Sequence, residues 1–287
     1  MRLRLFHARD GARVAYREAG TGPPLVLLHS ARLTHREFEP LVEELADRFR
    51  LVLPDLPLHG DSEDRPHHPY TLDWMAQVMG DFCMEVGGRR PLVGGHGEGA
   101  EIVLHAAATH RLRPARLVIM SARLHRPPAS DRLGTGWRLA ARAAAVPGLD
   151  RLAARGARLL FRPEHGMALT ARGNPAARDL VRHALADIAH NTRLARSWAR
   201  FARRWPRGAR HDLLDAYPHL DRPVLLLWAD EDRFHPVSAA EEALELLPDA
   251  QLRVLPATGF LLAYDDPVGL AREIKAFCLR PSSREVG

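Results

Sequence analysis

The sequence predicts an α/β fold: a mostly parallel sheet with flanking helices, interrupted by a helical insertion. Three observations carry this. Short apolar, β-branched runs alternate with longer segments of helical period through the first half, the pattern of strands and crossover helices. From residue 125 to 215 the texture changes to Arg, Ala and Leu at helical spacing, broken by Pro147, Gly148, Gly166 and Pro175. After Arg222 and Pro223 the alternation resumes.

In chain order, strands are expected at residues 3–6, 13–16, 25–28, 51–53, 92–94, 117–120, 224–228 and 252–255. Amphipathic helices are expected at 35–46, 72–86, 100–109, 239–247 and 268–278. The chain therefore divides into a first core segment, 1–124, the insertion, 125–215, a second core segment, 216–280, and a loose tail, 281–287.

Composition narrows the classes of function. With 287 residues and 46% hydrophobic content the chain can bury a large core. The formal net charge is +6, but the cations are nearly all Arg, with Lys275 the one lysine, and they are interleaved with Ala, Leu and acidic residues. An Arg, Ala and Leu-rich makeup also follows from GC-rich coding, so no nucleic-acid partner is expected. Cys83 and Cys278 lie far apart without CxxC spacing, which suggests neither a disulfide framework nor a zinc knuckle and fits a reducing cytoplasm. Neither an export signal nor an apolar run long enough to span a bilayer is found, so no membrane partner is expected.

The segment Gly94, Gly95, His96, Gly97, Glu98 and Gly99 closes an apolar run and precedes a helical segment. Strand, sharp turn and helix is the context of the GxSxG nucleophile elbow, and here the chain resembles the α/β-hydrolase superfamily. Other landmarks match in order. Leu27, Leu28, His29 and Ser30 resemble the strand and loop that supply an oxyanion-hole amide, with Ser30 where Gly is usual. Residues 54–62 resemble the family's Asp, Pro, Gly, His, Gly, Ser loop. Asp230, Glu231, Asp232 and Pro236 resemble the strand end that carries the acid, which puts that role on Asp232. Thr258, Gly259 and Phe260, followed by Asp266 and Pro267, resemble the loop that carries the histidine. The resemblance implies an eight-stranded sheet, with the insertion as a helical cap over the active site.

Two positions depart from the pattern: Gly97 has no side chain to attack with, and Phe260 cannot accept or give a proton. Loss of the nucleophile or the histidine in a comparable triad forfeits on the order of 10^6 in turnover. Glycine also relieves the strained geometry of an elbow once attack is not required.

The remaining candidates each have two readings. Glu98 is a helix-start acid favoured by the dipole or a pocket carboxylate. Asp232 caps the turn after its strand or faces the pocket as a general base. Ser30 is a loop serine or a donor to a substrate carbonyl. Among sixteen histidines, His29, His96 and His235 lie nearest the expected site by motif position, and His125 follows the sixth strand; each is also an ordinary structural histidine. Trp198, Phe201 and Trp205 at helical spacing are expected to pack the insertion onto the sheet, with their neighbouring arginines solvated.

The expected function is thus that of a non-hydrolytic enzyme, of lyase, cyclase or isomerase type, on a small and largely apolar carbonyl compound. Asp232, Glu98, Ser30 and His29 are its catalytic candidates, and Ser30, Gly97, Glu98, Phe260 and His125 line its substrate. Alternatives are a catalytically inactive binding protein using the cap cleft and a hydrolase working through an activated water. No cofactor or metal is expected, and the oligomeric state is open.

Overall fold

The computed structural model describes residues 1–65, 67–127, 163–190, 192–206 and 208–280. Eight strands form one sheet in the order β1-β2-β4-β3-β5-β6-β7-β8. They are β1 (Arg2–His7), β2 (Arg13–Ala19), β3 (Pro24–Leu28), β4 (Arg50–Pro54), β5 (Leu92–His96), β6 (Arg116–Met120), β7 (Val224–Ala229) and β8 (Ala250–Leu255). β1 and β2 pair antiparallel, β2 joins β4 antiparallel, and the remaining pairs are parallel. All eight expected strands are present, extended by a few residues.

Side-chain alternation builds two cores from one sheet, because successive residues of a strand point to opposite faces. Leu25 and Leu27 of β3, with Leu225 and Leu227 of β7, pack against Phe38, Leu41 and Leu45 on one face and Leu270 and Ile274 of the last helix. Val26 and Leu28, with Leu226 and Trp228, pack on the other face with Met75, Phe82 and Val103. Burial on both faces explains why the central strands read as continuous apolar runs.

The flanking helices follow their local signals. After α1 (Val42–Leu45), α2 spans Leu72–Val86, where Thr71 accepts from the Trp74 N–H at 3.2 Å as its N-cap. α3 spans Glu98–Ala108 directly after β5. The segment expected as one helix at 35–46 instead runs as a 3-10 helix, His35–Leu41, before α1. Pro40 lies inside it and supplies no N–H to a helical ladder.

Between residues 125 and 215 the described elements are helical: a 3-10 helix Pro163–Leu169, α4 (Pro175–His190), α5 (Thr192–Arg204) and α6 (His211–Ala216). Residues 128–162 of the expected insertion and the expected tail 281–287 lie outside the described residues. Trp198, Phe201 and Trp205 are buried, with Trp198 edge-on to His59 at 4.6 Å. Not all the arginines of α5 point away, since Arg200 donates to the His68 carbonyl at 3.2 Å and Arg204 to that of Pro69 at 3.1 Å.

Beneath α5 lies the buried carboxylate of Glu101, on α3. It accepts from Arg123 Nε at 2.8 Å and Nη2 at 2.6 Å, and from Trp205 Nε1 at 3.1 Å. Chain completion comes from α7 (Val237–Leu246), α8 (Leu262–Asp265) and α9 (Pro267–Cys278), the last capped by Asp266. Among the described residues no helix is long and apolar enough to cross a membrane.

Removing one partner of a buried ion pair leaves the other charge uncompensated. Glu101→Ala is expected to destabilise the fold by about 3–5 kcal/mol in urea unfolding, and a loss under about 1 kcal/mol would show that the pair is not structural.

Candidate functional site

The turn between β5 and α3 is built from glycines because backbones converge there. A Cβ on Gly95 would lie 2.6 Å from the Ala100 nitrogen, and one on Gly99 would press on the Leu28 carbonyl. Between them Gly97 adopts φ 52° and ψ −121°, a region unfavourable for residues with side chains. Its N–H donates to the carbonyls of Met120 at 3.3 Å and Ser121 at 3.2 Å. A Cβ on Gly97 would press on Ser30 Oγ and lie 2.9 Å from Ser30 Cβ. Ser30, on the loop after β3, thus fills the space in which a side chain at position 97 would begin.

The Ser30 hydroxyl is itself engaged. It donates to Glu98 Oε2 at 2.8 Å, and the Ala31 N–H donates to the same oxygen at 3.1 Å. Burial would raise the Glu98 pKa, but the Arg32 charge, the Ser30 hydroxyl and the Ala31 amide outweigh it and hold the carboxyl at about 2. Glu98 is therefore a fixed anion lying across the loop amide, with no tendency to act as a base near neutrality.

A second carboxylate lies deeper. Glu37 Oε2 accepts the Ser30 N–H at 2.8 Å, and Glu37 Oε1 contacts His96 Nδ1. Both side chains are buried, and the His96 ring packs on Phe260 with centroids 4.4 Å apart. Burial opposes charge on His96, yet the Glu37 carboxylate more than offsets it, so the imidazole holds its proton more tightly than usual.

The third carboxylate is Asp232, whose side chain is fully buried. Its Oδ1 accepts the Phe234 N–H at 2.7 Å, and its Oδ2 lies 2.8 Å from His235 Nδ1. The turn and the neighbouring histidine thus take both oxygens. The His235 carbonyl accepts from Trp228 Nε1 at 3.1 Å, and its ring stacks on Phe260 at 5.6 Å and 27°. Phe260 so contacts two imidazoles, each carrying its own carboxylate. Beside it Leu169, Thr170, Glu231, Arg233 and Phe234 line a small cleft.

Of the sequence candidates, the structure gathers Ser30, Gly97, Glu98 and Phe260 around the elbow. Asp232 reaches this group through His235. His29 is different: its Nε2 accepts the Leu56 N–H at 2.9 Å, which leaves Nδ1 to donate to the Ser30 carbonyl at 2.8 Å. Both nitrogens serve the backbone, and burial keeps the ring neutral by lowering its pKa. His125 pairs with Glu242 at 2.9 Å and lies edge-on to Tyr217. Glu37 was not a sequence candidate, and a lone acid in a helical segment gives no signal of its role. The spacing of Asp232 and His235 by three residues was a signal available in the sequence. Among the described residues no group of three or more His, Cys, Asp or Glu side chains is arranged to hold a metal ion.

Residues 23–267 match the alpha/beta hydrolase fold family. The chain belongs to this family. A pimeloyl-[acyl-carrier protein] methyl ester esterase of Stenotrophomonas maltophilia is 31% identical, over 92% of this chain and 96% of its own length. A magnesium-chelatase 30 kDa subunit of Rhodobacter capsulatus is 28% identical, over 81% of this chain and 78% of its own. Among solved structures, an alpha/beta hydrolase fold protein from Burkholderia ambifaria superposes with a TM-score of 0.78 at 23% identity, covering 94% of this chain and 96% of that one. In this α/β-hydrolase-fold chain Gly97 stands at the turn between β5 and α3.

Two outcomes follow from this packing. Gly97→Ala adds a side chain at a positive φ against Ser30 and is expected to destabilise by about 1–3 kcal/mol. Part of that loss should return in the Ser30→Gly/Gly97→Ala double variant, whereas strict additivity would show that the two positions do not compete. The raised His96 pKa has a definite sign. Its contribution is full below the ordinary value of 6.5 and is lost as pH rises through the higher folded value. Urea unfolding from pH 6 to 9 should show wild type losing more stability than His96→Asn, and parallel profiles would contradict the pairing.

Proposed function

We propose that this α/β-hydrolase-fold protein is a non-hydrolysing member, which binds a small, largely apolar ligand or a partner through the cleft beside Phe260 and forms no covalent enzyme intermediate. The observation that carries this reading is the exchange at the elbow: Gly97 has no side chain, Ser30 fills its place, and the Ser30 hydroxyl is committed to Glu98. A hydroxyl that donates to a carboxylate of such low basicity is not activated for attack. Phe260 supplies packing where a proton relay would stand.

The same geometry weighs against a lyase, cyclase or isomerase that polarises a carbonyl at the elbow. Electrostatic catalysis there requires amide donors aimed at a developing oxyanion, and the Ala31 amide is already bonded to Glu98. The two curated relatives, one named an esterase and the other a chelatase subunit, carry different activities in their names, which is compatible with a fold reused for different roles.

One observation favours a second reading. Asp232 orients His235 through Nδ1, leaving Nε2 as the nitrogen that accepts a proton. Such a pair is able to activate a water for hydrolysis without a covalent step.

Incubation with a fluorophosphonate probe, followed by intact mass, and turnover of p-nitrophenyl esters together test these readings. The proposal expects no adduct and no turnover above buffer. An adduct on any residue overturns it. Turnover without an adduct, abolished in His235→Ala, also overturns it and establishes the water-activating reading.

A further inference from the structure

Glu98 does more than an acid at a helix start needs to do. A carboxylate there gains from the helix dipole while facing solvent, yet this one turns back to the loop after β3 and takes donors lying 68 and 67 residues away in sequence. One oxygen accepts both the Ser30 hydroxyl and the Ala31 amide, as the oxygen of a free small carboxylate would. The Arg32 charge acts on the same group. Charge-assisted hydrogen bonds of this kind are about twice as strong as neutral ones, so an entering ligand competes with an anion already in place.

We propose that Glu98 is a resident ligand and autoinhibitory contact: its carboxylate occupies a cradle for small carboxylates made by the Ser30 hydroxyl and the Ala31 amide, and excludes free ones from the elbow. This rests on the non-covalent reading above. It adds that a ligand reaching the elbow of the unmodified protein presents a neutral or cationic group, not an anion, to Glu98. The arrangement also accounts for Ser30 at a place where the smaller glycine would leave the carboxylate with one donor fewer.

The test is removal of the side chain and supply of its chemistry from solution. In Glu98→Ala the cradle is vacant, and acetate is the probe. Thermal unfolding is followed against acetate concentration at constant ionic strength, with chloride as the replacement salt. Glu98→Ala should show a saturable rise of about 2–4 °C at roughly tenfold excess over the dissociation constant, while wild type stays flat. No rise in a folded Glu98→Ala protein overturns the proposal, and so does an equal rise in wild type, which marks non-specific binding. Should Glu98→Ala fail to fold, Glu98→Ser takes its place with the same two readings, since serine suits a helix start. The failure modes remain separate: a fluorophosphonate adduct sinks the non-covalent reading whatever acetate does, and an absent acetate effect leaves that reading standing.

Discussion

Ser30 and any side chain at position 97 compete for one space, and the rest of the site is arranged around that exclusion. The loop after β3 and the turn after β5 approach closely because Gly95 and Gly99 let backbone meet backbone. With no side chain at 97, the Ser30 hydroxyl takes the vacated volume and reaches Glu98. The Ser30 hydroxyl lies on the facing loop, and its partner there is the Glu98 carboxylate.

Three carboxylates near this turn take their partners from within the chain, while His96 Nε2 is buried without one among the described residues. Glu37 holds the Ser30 amide and His96, Glu98 holds the Ser30 hydroxyl and the Ala31 amide, and Asp232 holds the Phe234 amide and His235. Phe260 lies against both histidines and shields them. An active centre keeps some donors unsatisfied until the substrate arrives, which is the basis of preorganised stabilisation. Here the Ser30 and Ala31 amides have partners within the chain.

Much of the fold was legible in the sequence. Runs such as Leu25, Val26, Leu27, Leu28 and Val224, Leu225, Leu226, Leu227 are apolar without alternation because both faces of their strands are covered. The helix Leu72–Val86 was readable to the residue from its period. The segment from 35 to 46 was not, since its periodicity continues through Pro40 while its backbone ladder does not. At the site, the lack of a side chain at position 97 was visible in the sequence. The directions of Ser30, Glu98 and Asp232 were not, because they depend on how loops from β3, β5 and β7 meet in space. Glu37 illustrates the limit: its two partners, Ser30 and His96, lie seven and 59 residues away, and no local pattern announces them.

An ionised carboxylate of the chain sits on the loop amide at the elbow. Carboxyl 13C NMR of Glu98 across a pH titration measures this directly, with Ser30→Ala as the reference. Glu98 is expected to remain ionised down to about 2, with its midpoint moving back toward the ordinary 4.5 when the Ser30 hydroxyl is removed. A Glu98 that titrates near 4.5 in the unmodified protein, unchanged by Ser30→Ala, would contradict it.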